Sequence, residues 1–281
     1  MSNAISRLRT ALSNWKKSRR RRKQRERIAM AYLLPTVKLA KAWAGQEKEP
    51  SNFYYKLTPG NRDQLIQLIS TITGGGYSAI EGFVAELEQD DELRLHLETQ
   101  LKNTGYGRDI EIDYGRRLGW YAFIRMTKPR TVIETGIDHG VGSCVIASAL
   151  LRNAADGHPG RYYGTEIRRE AGKLFTGKYA TTGEILYGDS IESLNAFTQP
   201  IDMFINDSDH SSEYEYREYQ AIADKLSDSA IILGDNAHVT DCLSRFSRET
   251  GRKFLFFSEK PKDHWYPGAG IGVSFGEKRL Q

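Results

Sequence analysis

Between residues 131 and 233, short runs of β-branched and aromatic residues alternate with stretches whose apolar positions recur every three to four residues. The short runs, Thr131–Thr135, Arg161–Glu166, 184–187, Ile201–Asn206 and 230–233, predict five strands. The stretches between them, 144–153, 171–179, 191–197 and 213–226, predict four helices. Such an alternation builds a parallel, doubly wound sheet with helices on both faces. After a further helix at 239–250, Lys253–Ser258 and Gly270–Phe275 read as two strands with no helix between them. Such a pair is expected to place an antiparallel strand at one side of the sheet.

Upstream the pattern is helical throughout. Residues 1–44 read as one long helix, with Ile5, Leu8, Leu12 and Trp15 at helical spacing and no Pro or Gly before Pro35. Three short helices follow at 61–73, 78–88 and 92–101. They are broken by Gly74-Gly75-Gly76 and by Asp90-Asp91. The triple glycine lacks the preceding strand and following Lys-Ser/Thr of a phosphate loop, so it reads as a helix stop. The expected organisation is a basic helical arm at 1–50, a helical region at 51–104 and an α/β domain at 105–281.

Charge separates the arm from the rest. The net charge of +4 over 281 residues conceals +11 in residues 1–50 and −7 in the remainder. The run Lys16-Lys17-Ser18-Arg19-Arg20-Arg21-Arg22-Lys23 suits an anionic membrane surface or nucleic acid. A solvated helix that helps form a homo-oligomer explains it as well. Two cysteines without metal-ligand spacing fit a reducing compartment. No signal-peptide order and no apolar run of spanning length is seen, so the expected location is the cytoplasm.

The segment Val132-Ile133-Glu134-Thr135-Gly136-Ile137-Asp138-His139-Gly140-Val141-Gly142-Ser143 is a strand, a glycine-rich turn and a helix start. Its glycines let the backbone pass close under a ligand, and Ser143 is placed to cap the helix. The spacing Glu-x-Gly-x-x-x-Gly-x-Gly differs from the Gly-x-Gly-x-x-Gly of a dinucleotide site, which disfavours a nicotinamide-linked oxidoreductase. Glu166 ends the second strand, where a carboxylate can accept both hydroxyls of a ribose. Asp189, followed by Ser190, ends the third, in reach of an adenine. Ligands of open α/β sheets sit outside these carboxyl ends.

With these residues in place, 130–275 resembles a class I S-adenosylmethionine-dependent methyltransferase. The resemblance implies a Rossmann-like, doubly wound, seven-stranded sheet with a reversed last strand, here preceded by an N-terminal helical region. It places the methionine part at the turn of Glu134, Gly136, Gly140, Gly142 and Ser143, the ribose at Glu166 and the adenine at Asp189 and Ser190, with Asp207 bordering the cofactor. His139 departs from the small or polar residues usual in that turn.

The fourth strand ends Asn206-Asp207-Ser208-Asp209-His210 and the fifth ends Gly234-Asp235-Asn236-Ala237-His238. Carboxylates gathered there repel one another unless protonated or bridged by a cation, and Asp and Asn oxygens suit a hard ion such as Mg²⁺. The Asp207…Asp235-Asn236 pattern resembles the metal-dependent O-methyltransferases of the catechol, caffeoyl-CoA and sugar type. It implies a divalent ion, Mg²⁺ by preference, on Asp207, Asp235 and Asn236, and a general base at His210 or Asp209. The expected activity is metal-assisted O-methylation of a small hydroxylated acceptor, a sugar or vicinal diol. No Asn/Asp-Pro-Pro-aromatic stretch follows the fourth strand, which argues against methylation of a base nitrogen. The alternatives are a methyltransferase fold working without metal and a binding or scaffold protein using its basic arm. Two further stretches are candidates for bordering the acceptor: 106–120, rich in Arg and aromatic residues, and the 259–269 connection with His264, Trp265 and Tyr266.

Overall fold

The computed structural model describes residues 2–45, 54–104 and 111–276. The chain divides into two units, one formed by residues 1–47 with 263–266 and the other by 48–262 with 267–281. In the first unit a single helix, α1 (Ser2–Ala44), continues through Pro35. Its Leu8, Leu12, Trp15 and Leu33 side chains are exposed. The His264 and Trp265 rings stack, and the Trp265 ring lies 5.2 Å from that of Trp43.

The second unit begins with four helices, α2 (Pro59–Thr73), α3 (Tyr77–Glu88), α4 (Asp91–Asn103) and α5 (Arg117–Thr127). Gly74 stops α2 in the left-handed conformation, φ 69°, which only glycine adopts without strain. Asp90 caps α4 by accepting the Leu93 N–H at 3.0 Å. These helices pack on one another and on α6 (Val141–Ala155). Leu65, Ile69, Val84, Leu97, Trp120 and Phe123 are buried there. The buried Arg125 joins Glu86 on α3 (2.8 Å) to Asp156 after α6 (3.0 Å).

The sheet has seven strands: β1 (Thr131–Thr135), β2 (Arg161–Glu166), β3 (Gly183–Tyr187), β4 (Ile201–Asn206), β5 (Leu226–Gly234), β6 (Lys253–Ser258) and β7 (Gly270–Phe275). Their order is β3-β2-β1-β4-β5-β7-β6. The first five are parallel, whereas β7 is antiparallel to both β5 and β6. The reversed strand thus lies on one side of the sheet, as expected, inserted between β5 and the edge strand β6. Every residue of β1 is buried, as expected of a central parallel strand covered on both faces. Between the strands lie α7 (Ser190–Ala196), α8 (Ser212–Ile222) and α9 (Cys242–Glu249).

One predicted helix is not formed. Residues 171–179 turn back on themselves, with only a short 3₁₀ turn at Tyr179–Thr182. Gly172 and Gly177 take φ of 74° and 58°, which end a helix wherever they occur. The backbone N–H groups of Gly172 and Leu174 instead donate to the carbonyls of Asp138 (2.7 Å) and His139 (3.0 Å). The crossover thus braces the glycine-rich turn instead of covering the sheet with a helix.

Candidate functional site

Because β1, β4 and the strands beside them are parallel, their carboxyl ends open on one edge of the sheet, with β1 and β4 side by side at its centre. Chain order reverses here, since β1 is followed by β2 on one side and flanked by β4 on the other. A crevice at such a switch point is the usual ligand site of an open α/β sheet.

The turn after β1 is shaped by its protein neighbours. A Cβ on Gly136 (φ 75°) would come within 2.1 Å of the Asp207 carbonyl oxygen, and one on Gly142 would meet the Glu134 carboxylate and the Trp120 ring. Gly140, at φ 98°, caps α6 from the left-handed region. These glycines let β1, β4 and α6 approach one another, and so draw the ends of β1 and β4 together. Ser143 does not cap the helix. It lies inside α6, fully buried, because the turn ends three residues earlier, at Gly140. Its hydroxyl donates to Glu134 at 2.9 Å, and Tyr162 donates to the same carboxylate oxygen. Burial pushes the Glu134 carboxyl up to about 7, against the hydrogen bonds of Tyr162 and Ser143. Glu134 thus pins the base of the turn from below.

Glu166, at the end of β2, accepts the Asp138 N–H at 3.1 Å and the Arg168 N–H at 3.0 Å. Arg168 Nε approaches it at 3.2 Å, and Arg168 also bonds Asp138 at 2.8 Å. Glu166 therefore ties the glycine-rich turn to the end of the neighbouring strand. Asp189 is the N-cap of α7, accepting the N–H groups of Ile191 (2.8 Å) and Glu192 (3.1 Å). Ser190 is turned inward and donates to Glu218.

Glu218, on α8, carried no signal in the sequence beyond helical spacing. It is fully buried and gathers Thr135 (3.2 Å), Ser208 (2.7 Å), Ser190 and Asn206 on one carboxyl group. Burial raises its pKa against those four hydrogen bonds. The ends of β1 and β4 and the start of α7 thus meet on one side chain.

At the ends of β4 and β5 the structure brings Asp207, Asp235, Asn236 and His210 together. Burial first, and then the neighbouring Asp235 charge, hold the Asp207 carboxyl far above the usual carboxylate range. Asn236, fully buried, is bonded through Oδ1 to His210 Nδ1. If that ring nitrogen carries the hydrogen, Nε2 is left as the acceptor. Asp209 is exposed and turns to its own loop, accepting the Ser211 N–H at 2.6 Å. The Ser211 hydroxyl first, and then this amide, hold the Asp209 carboxyl below the usual carboxylate range, which makes it a weak base.

Two further residues of this cluster come from far along the chain. Arg116, immediately before α5, donates through Nε to Asp235, and its Nη1 lies 3.7 Å from Glu259. Glu259 follows β6, is buried, and accepts the Tyr55 hydroxyl and the Ala269 N–H at 3.1 Å. Burial works against the Arg116 charge, but Asp235, Glu259 and Asp207 outweigh it and hold the guanidinium ionised. Of the stretch 106–120, residues 106–110 lie outside the described residues. Trp120 is buried in helix packing. Of the 259–269 connection, Glu259 belongs to the cluster through Arg116 and residues 263–266 belong to the first unit.

The expected divalent ion does not fit the groups as they stand. Asp235 is committed to a guanidinium and the Asn236 carbonyl to an imidazole, whereas a hard ion needs those oxygens converging on one point. Among the described residues no group of three or more His, Cys, Asp or Glu side chains is arranged to hold a metal.

Comparison with known proteins bears on the centre of the chain. Residues 133–237 match the family model of a methyltransferase domain. No curated protein matches the sequence. Among solved structures, the fold is similar to a Staphylococcus aureus protein assigned as a caffeoyl-CoA O-methyltransferase. The two are 15% identical over 72% of this chain and 100% of the other, with a TM-score of 0.50. A Geobacter sulfurreducens methyltransferase is 15% identical over 68% and 95% of the two chains, TM-score 0.48. The O-methyltransferase TomG of Streptomyces achromogenes is 13% identical over 78% and 99%, TM-score 0.47. Residues 133–237 thus resemble a methyltransferase domain, at the centre of an α/β fold similar to that of the Staphylococcus aureus structure.

Proposed function

We propose that the chain transfers the methyl group of S-adenosylmethionine to an oxygen of a small hydroxylated acceptor. The observation that carries this reading is Glu166. Its carboxylate sits at the end of β2, bonded to the backbone of the glycine-rich turn, where a ribose diol can replace the exposed Arg168 side chain as its partner. The turn at 136–142 would receive the methionine part, and Asp189, while capping α7, would face the adenine. When bound, S-adenosylmethionine supplies an electrophilic sulfonium methyl group.

The chain's own residues prepare the acceptor. Asn236 holds the His210 imidazole by one nitrogen, so the other can accept the hydroxyl proton as the oxygen becomes nucleophilic. Fixed charges at the ends of β4 and β5 orient the acceptor without reorganising during transfer. A sugar or vicinal diol suits this polar pocket.

Calorimetric titration with S-adenosylhomocysteine tests the reading. Wild type should bind one equivalent, and Glu166→Ala should weaken binding by about 100-fold, the worth of two hydrogen bonds to a charged group. Absence of binding to wild type overturns it.

A further inference from the structure

The side-chain cluster at the ends of β4 and β5 has a resident positive charge that comes from the chain itself. Tight backbone geometry delivers it. Gly115 takes φ 49°, its N–H donates to the Tyr55 carbonyl at 3.0 Å, and a Cβ there would come within 2.7 Å of the Tyr55 ring. The next residue, Arg116, is thereby aimed inward, and only 12% of its side chain is exposed. It contacts Asp235, which is 5% exposed, and lies 3.7 Å from Glu259, which is wholly buried. Glu259 is itself held by Tyr55 and by the Ala269 amide. Nothing in this arrangement resembles a long surface side chain folded down on a convenient carboxylate. Both carboxylate partners are buried, and Glu259 is bonded again by Tyr55 and Ala269.

A divalent ion on Asp235 would stand beside this guanidinium, and at such separations two like charges in a buried pocket repel strongly. Asn236, the other donor from the same turn, already serves His210. We propose that Arg116 is the built-in cation of the acceptor pocket, occupying the place that a divalent ion would otherwise hold between the strand-end carboxylates. The inference rests on the methyltransferase reading only for what the pocket does. In that role the guanidinium polarises the acceptor's oxygens, so the reaction has no need of a divalent metal. An Arg suits the place because its planar, permanently charged fork can bond Asp235 and still present further donors.

Manganese is the probe, read by the loss of its free-ion electron paramagnetic resonance signal, on full-length chain first stripped with EDTA. Wild type should leave the signal unattenuated up to about millimolar manganese, the weak end of ordinary protein cation sites. Arg116→Ala should take up one manganese per chain, and adding Asp235→Asn should abolish that uptake. Near-UV circular dichroism reports whether each variant is folded. If Arg116→Ala is not, the near-isosteric Arg116→Gln replaces it, with the same expectation. Two results overturn the proposal: one manganese bound per wild-type chain and lost in Asp235→Asn, or a folded Arg116 variant that binds none. S-adenosylhomocysteine titrations on the same samples stand apart, because failure there removes the methyltransferase reading and leaves the manganese result to decide on Arg116.

Discussion

The ends of β1, β2 and β3 and the ends of β4 and β5 share one edge of one sheet, yet they are built on opposite principles. On the first side, the groups proposed to meet the cofactor come from the strands that carry them and from the turns just after. Glu166 bonds the turn of the adjacent strand, and Asp189 caps its own helix. On the second side, the decisive partners arrive from elsewhere. Asp235 meets Arg116, 119 residues earlier in the chain, and Glu259 meets Tyr55 across 204 residues. A site assembled from local turns can be read as a motif. A site completed by long-range ion pairs cannot, because its partners have no fixed spacing.

The largest way to test this contrast is a double-mutant cycle at Arg116 and Asp235. Removing one partner of a buried pair leaves the other charge uncompensated, which costs about 3–5 kcal/mol. Arg116→Ala should therefore lower stability in urea by about that amount. The double variant with Asp235→Asn should be no less stable than the single, which shows coupling. Additive losses would mean that the two groups do not act as a pair.

A nearly equal effect is expected from Glu134 on the cofactor side, through pH. Its carboxyl is held at about 7 against a usual 4.5, so between these values the folded chain keeps a proton that the unfolded chain has released. Stability should fall as pH rises through this window, by about 3 kcal/mol in all, and the loss should stay complete above it. Glu134→Gln keeps an acceptor for Ser143 and Tyr162 and should flatten the slope. An unchanged profile of urea midpoints in this variant would show that Glu134 is not the group responsible.

The smallest effect is expected at Asp189. Its cap on α7 should be worth about 1 kcal/mol, measured as the loss in Asp189→Ala and its recovery in Asp189→Asn, since Asn caps as well. If S-adenosylhomocysteine affinity falls in the Ala variant and returns with Asn, Asp189 serves the site only by holding the helix. A loss that persists in Asn assigns the carboxylate a contact of its own.

Much of this molecule was legible as pattern. Runs of β-branched and aromatic residues placed five of the seven strands with their observed bounds, β1, β2, β4, β6 and β7, because such side chains pack well on a pleated sheet. The helix expected at 171–179 was misread because its apolar spacing is real, while the left-handed Gly172 and Gly177 override it. The clustering of Asp207, Asp235, Asn236 and His210 was legible too, since parallel strands bring their carboxyl ends together. Glu218 was not, because a buried acidic residue on an amphipathic helix has the same local pattern as an exposed one.

By itself the sequence determined the α/β alternation, the glycine-rich turn and the acidic residues at the strand ends, all matters of local spacing. Only the tertiary structure decided what those residues do. It turned the glycines into points of close approach between β1, β4 and α6, and it turned Ser143 from a helix cap into a partner of Glu134. It also set Arg116 against Asp235. The reason is physical: spacing along the chain fixes backbone geometry, whereas the charge state and partners of a buried group depend on whatever else the fold packs around it.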